Sequence, residues 1–260
     1  MKNAKLASKT ITIVTLVVLM ALSTAVIPVD AHMPGAKAPP AFELSPIVIS
    51  DDGAEVEILE GMRETIENYS RILKKGNFIL KRNNKNYGYA KALNQGIKLA
   101  KSPFLVFANL DIEFMENWLP PLIDQLKKPD VAFVGPKIYD SRGRLNSCGI
   151  GGTEEKRYHR GWGKKDRGQY DKIEEVISVS GALFASRRDI FDQIGMFDEN
   201  FFLYFEETEI HIRARRAGYK IIYTPHSRII HYLGKSPKKS GNVKKWFKQS
   251  EEYFKKKLGL

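Results

Sequence analysis

The chain has 260 residues, of which 43% are hydrophobic and 28% charged, and its formal net charge is +12. This composition indicates a globular domain with a sizeable core and short appendages, not a disordered or repetitive chain. The single cysteine, Cys148, excludes an intramolecular disulfide. Residues 235–260 hold nine lysines and two glutamates, a net +7. Such a basic tail is either simply solvated or binds anionic lipid or nucleic acid.

The amino end, residues 1–32, has three interpretations. Three lysines precede an apolar run over residues 10–29, which is the pattern of a secretory signal. About 20 apolar residues also suffice for a membrane anchor, with the lysines holding the amino end in the cytoplasm. The β-branched stretch TITIVTLVV is equally typical of a core strand. The signal or anchor is the interpretation we favour.

The next segments predict a linker, a strand and a helix. Residues 33–46 are rich in proline and predict an extended linker. The apolar residues Ile47–Ser50 predict a short strand that ends in Asp51, Asp52 and Gly53. Hydrophobic residues at helical spacing predict a helix over 55–75.

Alternation of strands and helices continues after this helix. Strands are predicted at Asn77–Arg82 and from Phe104 onward, with a helix over Tyr89–Ala100 between them. Strands separated by helices are typical of a parallel sheet with right-handed crossovers.

The strand FLVFAN is followed by two carboxylates, Asp111 and Glu113. A buried strand releases polar residues at its end, which is where open α/β sheets bind ligands. Two carboxylates there suit Mg²⁺ or Mn²⁺. A solvated turn after a core strand explains the same pattern, and spacing alone does not decide between the two.

The second half of the chain predicts further strands and helices around a polar excursion. Residues 140–172 are rich in Gly, Arg, Lys and Asp, as substrate loops often are. The acids Glu206, Glu207 and Glu209 precede a helix that Gly218 ends. The remaining predicted elements are helices at 119–126 and 189–194 and strands at 131–134, 176–186 and 220–224.

Three long segments between Asn77 and Ser236 carry a family resemblance. They read NNKNYGYAKALNQGIKLAKSPFLVFANLDIEF, VGPKIYDSRGRL and VSGALFASRRDIFDQIGMFDENFFLYFEETEIHIRARRAGYKIIYTPHSRIIHYLGKS, and the tail SEEYFKKKLG follows. In this order they resemble the family 2 glycosyltransferases of the GT-A fold, particularly the rhamnosyltransferase-like branch. The resemblance implies an α/β fold with a mostly parallel central sheet, flanking helices, and nucleotide-sugar-binding and acceptor halves over residues 47–234.

The resemblance also implies roles for individual residues. Asp111 would bind the divalent metal, Mg²⁺ or Mn²⁺, with Glu113 and His231 in support. Glu207, with Glu206 beside it, matches the family's Glu-Asp motif and would be the catalytic base. Seven further residues would contact the nucleotide or line the donor and acceptor cleft: Asp51, Asp52, Gly88, Asn94, Ser180, Gly181 and Ala182.

The implied function is inverting transfer of a sugar from a nucleotide-sugar donor to a glycan or lipid-linked acceptor. Nucleic acid is not an expected partner, because the sequence contains no recognisable nucleic-acid motif. The apolar amino end and the basic tail, 235–260, suggest membrane association with the catalytic domain in the cytoplasm. Export is expected instead if the amino end is a signal peptide.

One departure from the family leaves an alternative function open. The family's first strand and helix, which supply part of the nucleotide pocket, are replaced here by the apolar leader and the linker. The chain is therefore either an active transferase or an impaired remnant that binds carbohydrate or nucleotide. A sugar nucleotidyltransferase is less well supported, because the sequence contains no early glycine-rich phosphate loop.

Overall fold

The computed structural model describes residues 16–23, 43–51, 78–83, 85–109, 111–232 and 241–260. The strands are β1 (Leu16–Ser23), β2 (Glu43–Asp51), β3 (Phe78–Arg82), β4 (Phe104–Ala108), β5 (Ile112–Phe114), β6 (Val131–Asp140), β7 (Leu145–Ser147), β8 (Ile150–Gly152), β9 (Arg157–His159), β10 (Glu174–Glu175), β11 (Leu183–Arg187) and β12 (Lys220–His231). The helices are α1 (Tyr89–Leu99), α2 (Pro120–Leu126), α3 (Asp189–Ile194), α4 (Glu206–Arg216) and α5 (Gly241–Leu258). The helix predicted over 55–75 lies outside the described residues.

Ten of the described strands form one mixed sheet. Its main order is β3-β2-β1-β4-β11-β6-β12-β10, with β5 paired to β12 and β7 to β6, while β8 and β9 form a separate pair. Strands β2, β3, β4, β6 and β12 run in one direction, and β1 and β11 run opposite to them. Most neighbouring strands are therefore antiparallel. The parallel pairs are β2 with β3 and β6 with β12, and β4 runs in the same direction as these four strands, as expected for a parallel sheet.

The amino-terminal strand β1 lies inside the sheet. It pairs antiparallel with β2 on one side and with β4 on the other. Of the three interpretations of the amino end, the core strand is the one that agrees with this position. Strand β1 also fills the place, between β2 and β4, where the sequence had suggested that a strand was missing.

The sheet separates two hydrophobic layers, because successive side chains of a strand point to opposite faces. On one face Phe107, Phe133 and Phe184 pack with residues of α1, α3 and α4. On the other face Val106 and Val134 pack with residues of α2. The central strands are therefore covered on both sides, which explains their continuous apolar sequences.

Four strand predictions differ from the structure in length. The strands predicted at 47–50 and 131–134 are longer, at Glu43–Asp51 and Val131–Asp140. The strand predicted over 176–186 is shorter in the structure and covers only Leu183–Arg187. Ser180 and Gly181 lie in the segment that precedes it. The strand predicted at 220–224 instead continues to His231. Among the described residues, no helix is both long and apolar enough to span a bilayer.

The polar excursion is tied to the sheet by a buried lysine. The side chain of Lys137, in β6, is fully buried, and its Nζ lies 2.9 Å from Asp166 and in hydrogen-bonding contact with Asp171. The hydroxyl of Tyr139 also donates to Asp166 at 2.6 Å. Burial opposes ionisation of Asp166, but these donors outweigh it and lower its pKa to about 2.

Removing the two aspartates should destabilise the protein more than removing the lysine. The double variant Asp166→Asn/Asp171→Asn leaves a buried ammonium without a counter-ion, so we expect a loss of about 3 kcal/mol in the free energy of unfolding. Lys137→Met leaves carboxylates that can turn to water, so about 1 kcal/mol is expected. Urea unfolding measures both, and a larger loss for Lys137→Met would contradict this assignment.

Candidate functional site

Acidic residues from two distant parts of the chain meet beside Tyr89, the first residue of α1. The Tyr89 hydroxyl lies 2.8 Å from the carbonyl oxygen of Gly181. Burial, followed by the negative charges of Glu206, Glu207 and Asp111, raises the pKa of Tyr89 well above its ordinary value. The charges of all three carboxylates therefore act on the hydroxyl of Tyr89.

The pairing of strands in the sheet explains why Asp111 lies beside His231. Strand β4 is apolar and buried, and Asp111 follows shortly after its end. The chain then turns back as β5, which pairs with the end of β12 so that Ile112 lies opposite His231. Because β4 and β12 run in the same direction, Asp111 and His231 come together at one edge of the sheet.

Asp111 and His231 form the first half of the site. Nε2 of His231 lies 3.2 Å from Oδ1 of Asp111, and both side chains are largely buried. Burial favours the neutral acid, but the hydrogen bond and charge of His231 prevail and lower the pKa of Asp111 below its ordinary value. Asp111 is therefore an ionised carboxylate at neutral pH, as a metal ligand must be.

These two residues fit a divalent cation as a partial ligand set. The carboxylate and the imidazole nitrogen are 3.2 Å apart, and the second ring nitrogen of His231 is buried without a partner among the described residues. The described residues contain no group of three or more metal-ligating side chains. Phosphate oxygens and water would complete the coordination, which is how Mg²⁺ is usually held at substrate phosphates.

Glu113 lies near this pair with a different partner. It is exposed, and its carboxylate accepts a hydrogen bond from the hydroxyl of Tyr232, the residue after His231. Its predicted support of the metal ligand is thus indirect in this structure, through the strand pairing of β5 with β12.

Glu206 and Glu207, the first two residues of α4, form the second half of the site. Burial and the neighbouring charge of Glu207 raise the pKa of Glu206 well above its ordinary value. Burial also raises the pKa of Glu207, although backbone N–H groups, including those of Thr208 and Gly181, and the charge of Arg157 favour its ionised form. These partners make the ionised form of Glu207 accessible, as a general base requires.

The backbone of the Ser180-Gly181-Ala182 segment lies beside Glu207 and the end of β4, and its predicted role in lining the donor and acceptor cleft stays a prediction. A Cβ on Gly181 would lie 3.4 Å from Cδ of Glu207, so the glycine lies directly against that carboxyl group. The carbonyl of Ala182 accepts the N–H of Asn109 at 2.9 Å. This bond ties the segment to the end of β4, near Asp111.

Gly88 and Asn94 are held by other parts of the protein. A Cβ on Gly88 would lie 2.5 Å from the carbonyl oxygen of Phe202, and its φ of 95° also favours glycine. The buried amide of Asn94 bonds both the N–H and the carbonyl of Phe197. Asn94 therefore supports the chain near residue 197 and is not brought into the cleft, and its predicted nucleotide contact has no support here.

The predicted acidic turn after β2 falls at the limit of the described residues. Strand β2 ends at Asp51, in register with Arg82 of β3, and it runs in the direction of β4. Asp52 lies outside the described residues. The nucleotide contacts predicted for both aspartates stay predictions.

Two residues of the site had no signal in the sequence. Tyr89 reads as an ordinary buried residue of an amphipathic helix, yet its hydroxyl contacts Gly181 and is acted on by the charges of both halves of the site. Arg157 belongs to the polar excursion, 50 residues before Glu207 in sequence, and its charge acts on Glu207. Only the tertiary fold brings these residues to the carboxylates.

Glu206→Gln should stabilise the protein at high pH. Folding raises the pKa of Glu206, so its contribution to the free energy of unfolding is fully present below about pH 4.5. That contribution is lost as the pH rises through the raised pKa, because the buried carboxyl group must then ionise. Glutamine removes the buried charge, so we expect the variant to melt about 2–8 °C above the wild type at pH 8 and near it at pH 4.5. Calorimetry at the two pH values measures this difference.

The exposed Glu116 provides a matched control, because Glu116→Gln removes a charge that water already solvates. We expect no difference in melting temperature at either pH for this variant. An increase at pH 8 for both variants, or for neither, would contradict the assignment of a strained buried charge to Glu206.

Known proteins resemble this chain in sequence and in fold. N-acetylgalactosaminyltransferase 7 of Homo sapiens is 27% identical over 257 residues, 84% of this chain and 38% of that protein. The O-antigen biosynthesis protein RfbC of Myxococcus xanthus is 27% identical over 154 residues, 56% of this chain and 12% of that protein. The chain thus spans less than half the length of these relatives.

Two solved structures share the fold. The structure of GalNAc-T7 with UDP, GalNAc and Mn²⁺ superposes with a TM-score of 0.59 at 21% identity, covering 79% of this chain and 41% of the other. The mannosyltransferase PcManGT from Pyrobaculum calidifontis, in complex with GDP-Man and Mn²⁺, gives 0.53 at 16% identity, covering 74% and 49%. The predicted GT-A fold is thereby confirmed.

The model of the family described as glycosyl transferase family 2 matches residues 42–195. This range is more than half of the 260 residues, and it contains the Asp111 end of β4 and the Ser180-Gly181-Ala182 segment. The chain belongs to glycosyl transferase family 2.

Proposed function

We propose that this protein transfers a sugar from a nucleotide-sugar donor to a hydroxyl group of a glycan or lipid-linked acceptor, with inversion and with the help of a divalent metal. The observation that carries the proposal is that an ionised carboxylate paired with a histidine, Asp111 and His231, and a buried carboxyl pair, Glu206 and Glu207, both act on the hydroxyl of Tyr89.

Glu207 is the proposed general base. A hydroxyl nucleophile must lose its proton as it attacks the anomeric carbon, and a carboxylate with a raised pKa accepts that proton better than an ordinary one. Burial raises the pKa of Glu207, while the backbone N–H groups around it keep its ionised form accessible. The protonated Glu206 beside it avoids a second negative charge at the same place.

Asp111 and His231 are the proposed ligands of the divalent cation. A bound divalent cation supplies charge neutralisation to the departing diphosphate. Asp111 stays ionised because His231 lowers its pKa, and His231 is fixed by the end of β12. Inversion would require the acceptor hydroxyl, deprotonated by Glu207, to attack in line with a diphosphate that departs toward a cation held by Asp111 and His231.

The ligands of the structural neighbours support the donor and the metal. GalNAc-T7 was solved with UDP, GalNAc and Mn²⁺, and PcManGT with GDP-Man and Mn²⁺. A nucleotide-sugar donor and Mg²⁺ or Mn²⁺ are accordingly our proposal for this chain. The sugar, the nucleotide and the rhamnosyltransferase-like specificity remain predictions from the resemblance.

A second candidate function is that of a binding module derived from a transferase. The observation that favours it is the direction of β1, which is antiparallel to β2 and β4. In this direction β1 brings its amino end, not the loop after it, to the edge where β2 and β4 end. The donor pocket would then lack the loop that a parallel first strand supplies.

Membrane association and a cytoplasmic location remain part of the proposal and rest on the sequence. In α5 the exposed residues include Lys244, Lys245, Lys248, Lys255 and Lys256, a charge pattern that suits an anionic lipid surface.

Asp111→Ala should abolish turnover while the protein stays folded. We expect release of nucleoside diphosphate from the donor to fall by about 10²-fold or more, because the ionised ligand is lost. The measurement screens nucleotide-sugar donors with Mn²⁺ and follows the released diphosphate. Asp124→Ala, at an exposed aspartate of α2, is the matched control, and equal activity of the two variants would remove Asp111 from the site.

Glu207→Gln should lower kcat by about 10²- to 10⁴-fold without weakening the binding of nucleotide and Mn²⁺, because the general base acts only on the acceptor hydroxyl. In the wild type, kcat should rise with pH through the raised pKa of Glu207, so the acid limb lies above pH 4.5. Glu207→Asp, the residue usual in the family, should retain more activity than Glu207→Gln.

The same assays separate the two candidate functions. A binding module would bind nucleotide with Mn²⁺ in a way that depends on Asp111, would release no diphosphate from any donor, and would be unaffected by Glu207→Gln. Turnover by the wild type would exclude it.

A further inference from the structure

The turn before the two glutamates has an uncommon backbone. Tyr204 and Phe205 have φ values of 71° and 72°, in the left-handed region that bulky residues rarely adopt. Phe205 is the last residue before α4, and its carbonyl accepts the N–H of Glu209 at 2.8 Å. These two residues therefore set the direction in which the first turn of α4, with Glu206 and Glu207, leaves the loop.

The aromatic side of α5 packs on these two residues. The ring of Phe247 lies 5.6 Å from that of Tyr204 and 5.1 Å from that of Phe205. The fully buried Phe254, two turns further along α5, lies 5.2 Å from Phe205. Phe205 is thus held between two rings of one helix, in aromatic contacts at favourable distances.

Polar contacts fasten α5 to the same loop, residues 198–205. The hydroxyl of Ser250 donates to the carbonyl of Leu203 at 2.8 Å, and that of Tyr253 donates to Asp198 at 2.9 Å. Lys257 forms ion pairs with Asp198 and with Glu209 of α4. Helix α5 therefore ties the loop and the start of α4 together along its whole length.

The opposite side of the loop contacts the rest of the site. The carbonyl of Phe202 accepts the N–H of Tyr89 at 2.8 Å, and the close approach of Gly88 to Phe202 fits this contact. The guanidinium of Arg157 lies 4.3 Å from the ring centre of Phe254 and acts on the charge of Glu207. The loop is thus clamped between α5 and the residues that surround the carboxylates.

We infer that α5 is a positioning element of the glycosyl-transfer site, and that Phe247 and Phe254 hold Tyr204 and Phe205 in the left-handed conformation that aims Glu207 at the acceptor. This inference rests on the proposed function, in which Glu207 is the base. Without the two rings, the loop would relax toward the ordinary conformations of Tyr and Phe and would turn the first residues of α4 away.

The experiment compares the full-length wild type with Phe247→Ala, Tyr204→Gly and the double variant. Glycine adopts positive φ without steric opposition, so it should replace part of the support that Phe247 gives. We expect Phe247→Ala to lower kcat about 10-fold with little change in the KM of the donor, because misplacement of a reacting group affects turnover strongly. The kcat of the double variant should be at least about threefold higher than that of Phe247→Ala.

A helix that only stabilised the fold would give a different result. Tyr204→Gly would then add its own loss to that of Phe247→Ala, so the double variant would be the least active of the four. That outcome, or an unchanged kcat in Phe247→Ala, would overturn the inference. Lys248→Ala, at an exposed lysine of α5, is the control and should leave kcat and KM unchanged.

A readout that needs no turnover keeps this test apart from that of the proposed function. Hydrogen exchange of the Glu209 amide, which donates to Phe205, should be at least about 10-fold faster in Phe247→Ala than in the wild type or Lys248→Ala. Absence of turnover in the wild type with this exchange difference present would reject the enzymatic function alone. Unchanged exchange would reject the positioning role, whatever the activity.

Discussion

The burial of carboxylates that must work as charges is the constraint on which the rest of this site depends. Asp111, Glu206 and Glu207 all act on the hydroxyl of Tyr89, and burial favours the neutral form of each of them. A metal ligand and a base must both be ionised to work, so the fold has to favour two of the three charges selectively. Burial and the charge of Glu207 favour the neutral form of the third group, Glu206, and one of its carboxyl oxygens has no partner among the described residues.

Two different kinds of partner achieve this selection. Asp111 relies on one side chain, His231, which the pairing of β5 with β12 fixes beside it. Glu207 relies mainly on backbone N–H groups at the start of α4, followed by the charge of Arg157 and the N–H of Gly181. The metal half of the site therefore depends on the sheet, whereas the base half depends on how α4 begins. The two halves can be perturbed independently by substitution.

The sequence predicted the parts of this arrangement that depend on local pattern. The apolar run of β4, the acids at the start of α4 and the late His231 follow from periodicity or from the family resemblance, and they lie where they were expected. Local pattern could not predict the contacts of Tyr89 and Arg157, which depend on tertiary packing. It also favoured a signal or anchor at the amino end, where β1 lies inside the sheet, because a β-branched apolar run suits a strand, a signal or an anchor.

In the basic tail, residues 235–260, charge alone also failed to predict which residues pack against the rest of the protein. Its lysines suggested a nucleic-acid or lipid partner, yet the residues of α5 that contact the protein are mainly aromatic: Trp246, Phe247, Tyr253 and Phe254. Their spacing is that of one helical face, which leaves the lysines to the outer face. Two left-handed residues disfavour the fold by about 1 kcal/mol or more each, and this aromatic face offsets that strain.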